Sequence, residues 1–240
     1  METTVLFTPI DKESSTDIFK EILTQVIDNI KTGNLKPGDS LPAERAMAET
    51  LGISRPVLRE VLKSLELLGI INSVQGSGNV ISENLENCMI TPLSVMFSLM
   101  NSSLSDAVVL RSAIETKLSM LAAEKCNNIN AAELTLLLEK LRTAETMEER
   151  IEIDNQFHRK ISEIADNKIL YAISLAASDL VSDIIREYHL RRSRSNDTLD
   201  KFIEVHAEIV DKIIKQDAVG VYYAMKEHMY LLHNTIHDNE

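Results

Sequence analysis

Apolar positions recur at helical spacing along almost the whole chain, and the exceptions are local. Ile18, Ile22, Val26 and Ile30 form one stripe within Thr16–Lys31, which Gly33 closes. Pro37-Gly38 turns the chain, and Pro42 opens a short helix over Ala43–Leu51. Leu58, Val61, Leu62, Leu65 and Leu68 make the next stripe, over Ser54–Leu68, and Gly69 ends it. Between these two helices, Gly52 supplies the positive φ that closes the first. Ser54 is placed to cap the second by accepting a backbone N–H. Pro56 follows in its first turn, where a missing N–H costs little. The period then changes. Ile70–Gln75 and Asn79–Ile81 are β-prone runs around Gly76-Ser77-Gly78, a hairpin signal. Helix, tight turn, helix and hairpin together make a winged helix-turn-helix, which sets its second helix in a DNA major groove. Met1–Glu13 shows no period and reads as an arm or a frayed end.

Beyond a polar linker at 83–91 the pattern is helical throughout. The only breakers there are Pro92 and Gly220. Helices are predicted over Pro92–Met100, Leu104–Cys126, Asn130–Thr143, Met147–Ala165, Lys168–Arg191, Leu199–Lys215 and Asp217–His237. The chain is therefore mainly α. A winged helix-turn-helix domain over 1–82 precedes an all-α antiparallel helical bundle of six or seven helices over 92–240. Arg191-Arg192-Ser193-Arg194 lies between two of these helices and reads as a solvated helix end favoured by the helix dipole.

The net charge of −12 is unusual for a DNA binder, but its distribution matters more than its total. Residues 31–63 hold six Lys/Arg against four Asp/Glu, whereas residues 83–240 hold seventeen against twenty-six. Positive charge sits on the predicted DNA-binding unit, and an acidic remainder limits non-specific binding. Cys88 and Cys126 have no metal or redox spacing and read as idle thiols in a reducing cytoplasm. No run approaches the ~20 apolar residues of a membrane span. The N-terminus lacks the basic-then-apolar order of a signal peptide.

Two sets of side chains carry candidate chemistry. Arg55, Arg59 and Lys63 recur every fourth residue on the polar face of Ser54–Leu68. Arginine pairs bidentately with guanine or with phosphate. Gly76 and Gly78 would let the hairpin backbone approach a phosphate closely. In the helical region, Asp154 and His158 share a helix face. His206 lies about eleven residues before the turn at Gln216-Asp217 and His228 about eleven after it, so the two stand at similar heights on antiparallel helices. One carboxylate and three imidazoles suit Zn²⁺, Ni²⁺ or a similar ion. On spacing alone, scattered surface or hydrogen-bonded histidines are the commoner explanation and stay ahead of a metal site.

The N-terminal stretch resembles the DNA-binding domain of the bacterial GntR superfamily of transcription regulators. The residues that carry the resemblance are Gly33, Leu35, Pro37-Gly38, Leu41-Pro42, Glu44-Arg45, Leu51-Gly52, Ser54-Arg55, Arg59-Glu60, Leu65, Gly69 and the Gly76/Gly78 wing. It implies DNA contacts for Arg45, Arg55 and Arg59, with the wing at the minor groove. Two departures stand out. Ala43 stands where a serine is common, and the wing carries no Lys or Arg. The region from Asp106 to Met229 resembles the helical effector domain of the FadR-like branch, the FCD type. That likeness rests on Leu110-Arg111 with Ile114-Glu115, Asp154-Asn155-Gln156-Phe157-His158, Val205-His206 with Ile209, and Met225 with His228-Met229. It implies a divalent metal held by Asp154, His158, His206 and His228. It also implies a small organic acid at the metal's open positions, with Arg111 helping to hold it. A salt bridge to a neighbouring carboxylate is the alternative for Arg111.

The expectation is a homodimeric cytoplasmic transcription regulator, a repressor, acting on a palindromic double-stranded operator with no membrane partner. Ser54, Arg55, Arg59 and Lys63 would face DNA, and Arg45 would grip its backbone. A small carboxylate effector would shift operator affinity. The rivals are a direct metal sensor and a regulator with a purely structural metal. An enzyme is not expected, because no general base stands out beside the candidate ligands.

Overall fold

The computed structural model describes residues 6–10, 17–76, 78–83, 88–180 and 196–237. It divides into two compact units, Met1–Cys88 and Met89–Glu240. Ten helices and one small sheet are found among the described residues.

In the first unit, α1 (Ile18–Lys31) starts at Asp17, whose side chain accepts from Lys20 N, and buries Ile22 and Val26. Then come α2 (Glu44–Leu51) and α3 (Arg55–Leu67). The joint has the expected backbone, with Gly52 at φ 70° and ψ 24°. Met47 and Leu51 of α2 meet Leu58, Leu62 and Leu65 of α3 in one core with α1. The hairpin pairs β1 (Ile71–Val74) with β2 (Gly78–Ile81) antiparallel, Ile71 opposite Ile81 and Val74 opposite Gly78. The chain before α2 extends this hairpin, for Leu41 N donates to Asn79 O at 2.8 Å and Gly38 N to Ile81 O at 2.9 Å.

Two expectations fail here. The start of the chain is not a loose arm over residues 6–10. Phe7 and Ile10 are buried in the core, Ile10 N donates to Leu51 O, and Gln25 brackets Thr8 through its side chain. Two apolar anchors three residues apart are too short a pattern to register as a period. Ser54 takes the N-cap position but makes no side-chain cap bond. An N-cap oxygen accepts from the second or third helical N–H; Pro56 at the second position has none, which leaves Val57 N–H as the one donor, and the Ser54 hydroxyl does not take it. Ala43 also leaves α2 without a side-chain cap, as its identity requires.

The second unit has seven helices among the described residues: α4 (Ile90–Leu99), α5 (Leu104–Lys125), α6 (Asn128–Thr143), α7 (Met147–Ile164), α8 (Lys168–Leu180), α9 (Asn196–Ile214) and α10 (Ala218–His237). Capping boxes at Ser103/Asp106 and Thr146/Glu149 fix the starts of α5 and α7. Pro92 falls in the first turn of α4, where its missing N–H is no loss, so that helix begins before it. With so little glycine, Asn101, Asp166 and Gln216 supply the positive φ at helix ends. The core runs through Leu118 and Ala122 of α5, Phe157 and Ile161 of α7, Ile209 of α9, and Val221 and Met225 of α10. The Arg191–Arg194 cluster lies outside the described residues.

Candidate functional site

The apolar stripes of α7, α9 and α10 carry four metal-donor side chains inward. On α7, Asp154 and His158 sit one turn apart beside Phe157 and Ile161. On α9, His206 follows Phe202 and Val205 on the buried face, and on α10 His228 lies between Met225 and Met229. These four side chains are all buried, and one ligand atom from each lies within 4.8 Å of the others. His206 Nε2 stands 2.9 Å from Asp154 Oδ1, and His158 Nε2 stands 3.0 Å from His228 Nε2. Phe157 and Phe202 close the walls, their ring centroids 5.0 Å and 4.2 Å from that of His206.

The other ring nitrogens decide what the cluster can hold. His206 Nδ1 is 2.8 Å from Phe202 O, the carbonyl one turn back on α9. That carbonyl can only accept, so Nδ1 carries a proton and the Nε2 edge of His206 is turned toward Asp154. His158 Nδ1 lies in close contact with Glu115 Oε2, and its Nε2 edge is turned toward His228. Burial, then the nearby charges of His206 and His158, push His228 well below the usual histidine range, with Asp154 opposing. The cluster thus gathers one carboxylate oxygen and three imidazole nitrogens within 4.8 Å of one another in a buried pocket. The donor set is therefore compatible with a divalent metal site.

Behind the cluster stands an ion chain on α5. Arg111 and Glu115, one turn apart, are both buried, and Arg111 Nε donates to Glu115 Oε1. Burial raises the Glu115 carboxyl, but Arg111 and His158 outweigh it and hold it at about 2. Among the described residues the rest of the Arg111 guanidinium has no carboxylate partner. Its charge also reaches His228. In the sequence Glu115 enters only with Ile114 in the FCD-type likeness, four residues after Arg111, with no role of its own. A separate groove of about 520 Å³ lies between α5 and α10, lined by Val109, Ala113, Met120, Tyr222 and Tyr230, and none of the four donors lines it.

In the first unit, Arg45, Ser54, Arg55, Arg59 and Lys63 are all exposed. Three of these cations are paired with carboxylates. Arg59 Nε donates to Glu44 Oε2 at 2.7 Å, joining α3 to α2, Arg45 Nε to Glu49 at 3.0 Å, and Lys63 Nζ to Glu60 at 3.0 Å. Gly76 and Gly78 hold φ of 85° and 78° at the hairpin end. A Cβ built on either meets nothing within 4 Å, so backbone conformation alone demands glycine there.

Residues 106–231 match the FCD domain, and residues 19–81 match the bacterial regulatory proteins of the gntR family. The chain belongs to the GntR family of bacterial regulatory proteins. The FCD match contains the four clustered donors with Arg111 and Glu115, and the gntR match contains the exposed cations of α2 and α3. YcbG of Bacillus subtilis (strain 168), an uncharacterized HTH-type transcriptional regulator, is 29% identical over 229 residues, covering 95% of this chain and 93% of that protein. The Glc operon transcriptional activator of Escherichia coli (strain K12) is 27% identical over 232 residues, covering 92% of this chain and 89% of that protein. Streptococcus agalactiae GntR shares the fold with a TM-score of 0.65 at 22% identity, over 90% of this chain and 100% of that one. This GntR-family protein is a transcription regulator of the GntR/FCD type, and the relatives it resembles are regulators rather than enzymes. No helix among its described residues is long and apolar enough to cross a membrane.

Proposed function

We propose that this regulator acts in the cytoplasm as a homodimeric repressor whose operator affinity is set by a small organic acid bound beside a divalent metal, Zn²⁺ or Ni²⁺. Each subunit lays α3 in the major groove of one half of a palindromic operator. Arg55 and Arg59 read bases or phosphates, Arg45 and Lys63 grip the backbone, and Ser54 and the Gly76/Gly78 wing approach it closely. Asp154, His158, His206 and His228 would hold the metal, which supplies positive charge and open positions to a carboxylate. The acid shifts operator affinity only as far as it prefers one arrangement of the DNA-binding units over another.

One observation carries the acid: a buried guanidinium, Arg111, whose carboxylate partner among the described residues is Glu115 alone, beside a cluster of buried metal donors. Buried charge is costly without a full set of partners, and a carboxylate offers the geometry a guanidinium lacks there. The test is a thermal-shift screen of the Zn²⁺-loaded protein against small carboxylates. One acid should raise Tm with its concentration and change operator affinity. If no acid does so, the effector reading falls. His228→Ala should lower bound metal, and full occupancy in that variant would contradict the ligand set. The four buried donors gathered within 4.8 Å support a second reading, in which the metal is the signal. Operator binding that follows free Zn²⁺ and ignores every acid would select it. The E. coli relative is named an activator, so transcription from the operator in the presence and absence of the protein tests repression.

A further inference from the structure

We infer that Glu115 is a positioning residue that mechanically joins Arg111 to the metal ligand His158, so that the state of the guanidinium is felt in metal affinity. The inference rests on the metal reading above. It follows from how one carboxylate is divided. Glu115 Oε1 takes Arg111 Nε, and Glu115 Oε2 faces His158 Nδ1. Arg111, Glu115 and His158 are each at most 5% exposed, so water does not substitute for any of them.

The division has a direction. A carboxylate accepting from Nδ1–H fixes the imidazole tautomer with the Nε2 lone pair toward the cluster, and it makes that nitrogen a better donor to a metal. The guanidinium on the other oxygen draws charge away from this contact. When a ligand occupies Arg111, less of its charge falls on Glu115, and Glu115 acts more strongly on His158. Metal and anion therefore favour each other through the protein, in addition to any direct contact between them. By linkage the effect is the same in both directions. Arg111 thereby acquires a role that neither of its expected readings contains. It is a salt bridge and an anion site at once, with Glu115 as the link.

The coupling is read with Zn²⁺ alone, by competition against a chromophoric chelator, on the full chain as wild type, Arg111→Met, Glu115→Gln and the double variant. Glu115→Gln should weaken Zn²⁺ by about 10–100-fold, the range for an outer-shell partner. Arg111→Met should tighten Zn²⁺ several-fold while lowering thermal stability, opposite signs that a merely structural residue would not give. In the Glu115→Gln background the effect of Arg111→Met should largely vanish. If the two single effects simply multiply, Arg111 acts through space and the link is overturned. If Glu115→Gln leaves Zn²⁺ affinity unchanged, the inference is overturned and the metal reading survives. Failure of the wild type to bind Zn²⁺ or Ni²⁺ overturns both. Should Glu115→Gln not fold, Glu115→Asp keeps the charge but shortens the reach, and the same loss of coupling is expected.

Discussion

An arginine–glutamate pair from each unit bears on its chemistry, Arg59–Glu44 in the first and Arg111–Glu115 in the second, and these two are built on opposite terms. Arg59 and Glu44 meet at 2.7 Å with 56% and 32% of their side chains exposed. Arg111 and Glu115 meet with 2% and 3% exposed. An exposed pair contributes about 0–1 kcal/mol, so a base or phosphate can take Arg59 from Glu44 at little cost. A buried pair behaves differently, because removing one partner strands a charge and costs about 3–5 kcal/mol. Any ligand for Arg111 must add to the Glu115 contact instead of replacing it. Charge that is to be handed over is left in water, and charge that must hold a geometry is kept dry.

The largest effect that tests this contrast is on stability. With metal chelated, Glu115→Ala should destabilise the full chain in urea by about 3–5 kcal/mol. Glu44→Ala should change it by no more than about 1 kcal/mol. Similar losses from the two substitutions would erase the distinction between the pairs.

The next effect is on recognition. At fixed salt, Arg59→Ala should weaken binding to the selected operator by about 1–3 kcal/mol if Arg59 reads a base, measured by fluorescence anisotropy against random duplex. Unchanged affinity would remove Arg59 from the interface, and its pair with Glu44 would then be ordinary surface chemistry.

The same contrast explains what could be read from residue order. The winged helix-turn-helix was legible because its signals are local. Gly52 has the positive φ its position demands, and Leu58, Leu62 and Leu65 fall inside as their spacing requires. The seven helices of the second unit were legible for the same reason. Helix pitch paired Asp154 with His158, and one short turn set His206 level with His228; that the two pairs meet was implied by the likeness to the FCD type, and they do converge. Partners set by tertiary contact were not legible. Nothing near Phe7 announces its burial, and nothing near Ser54 except Pro56 warns that its hydroxyl will not cap. Glu115 escaped as a participant because its role needs α7 beside α5, a contact between residues far apart in sequence. Spacing could suggest Arg111 paired with Glu115, but not that His158 would take the other oxygen.

The smallest effect sharpens the surface side of the comparison. Lys63 Nζ is 3.0 Å from Glu60, with side chains 70% and 74% exposed, one turn apart on α3. At that exposure the pair holds Lys63 only weakly, and the ammonium can turn to a phosphate at almost no cost. A phosphate contact carries no base information, so Lys63→Ala should weaken operator and random duplex alike. It should also reduce the slope of log K against log salt by about 1, since one fewer counterion is released. Glu60→Ala is the matching control. It removes the competing carboxylate and should strengthen both duplexes slightly without changing which is preferred. A Lys63→Ala variant that lost operator binding while keeping its salt slope and its affinity for random duplex would show Lys63 reading a base. The weak pair with Glu60 would then be part of recognition, and exposure alone would no longer separate the two kinds of arginine–glutamate and lysine–glutamate contact in this molecule.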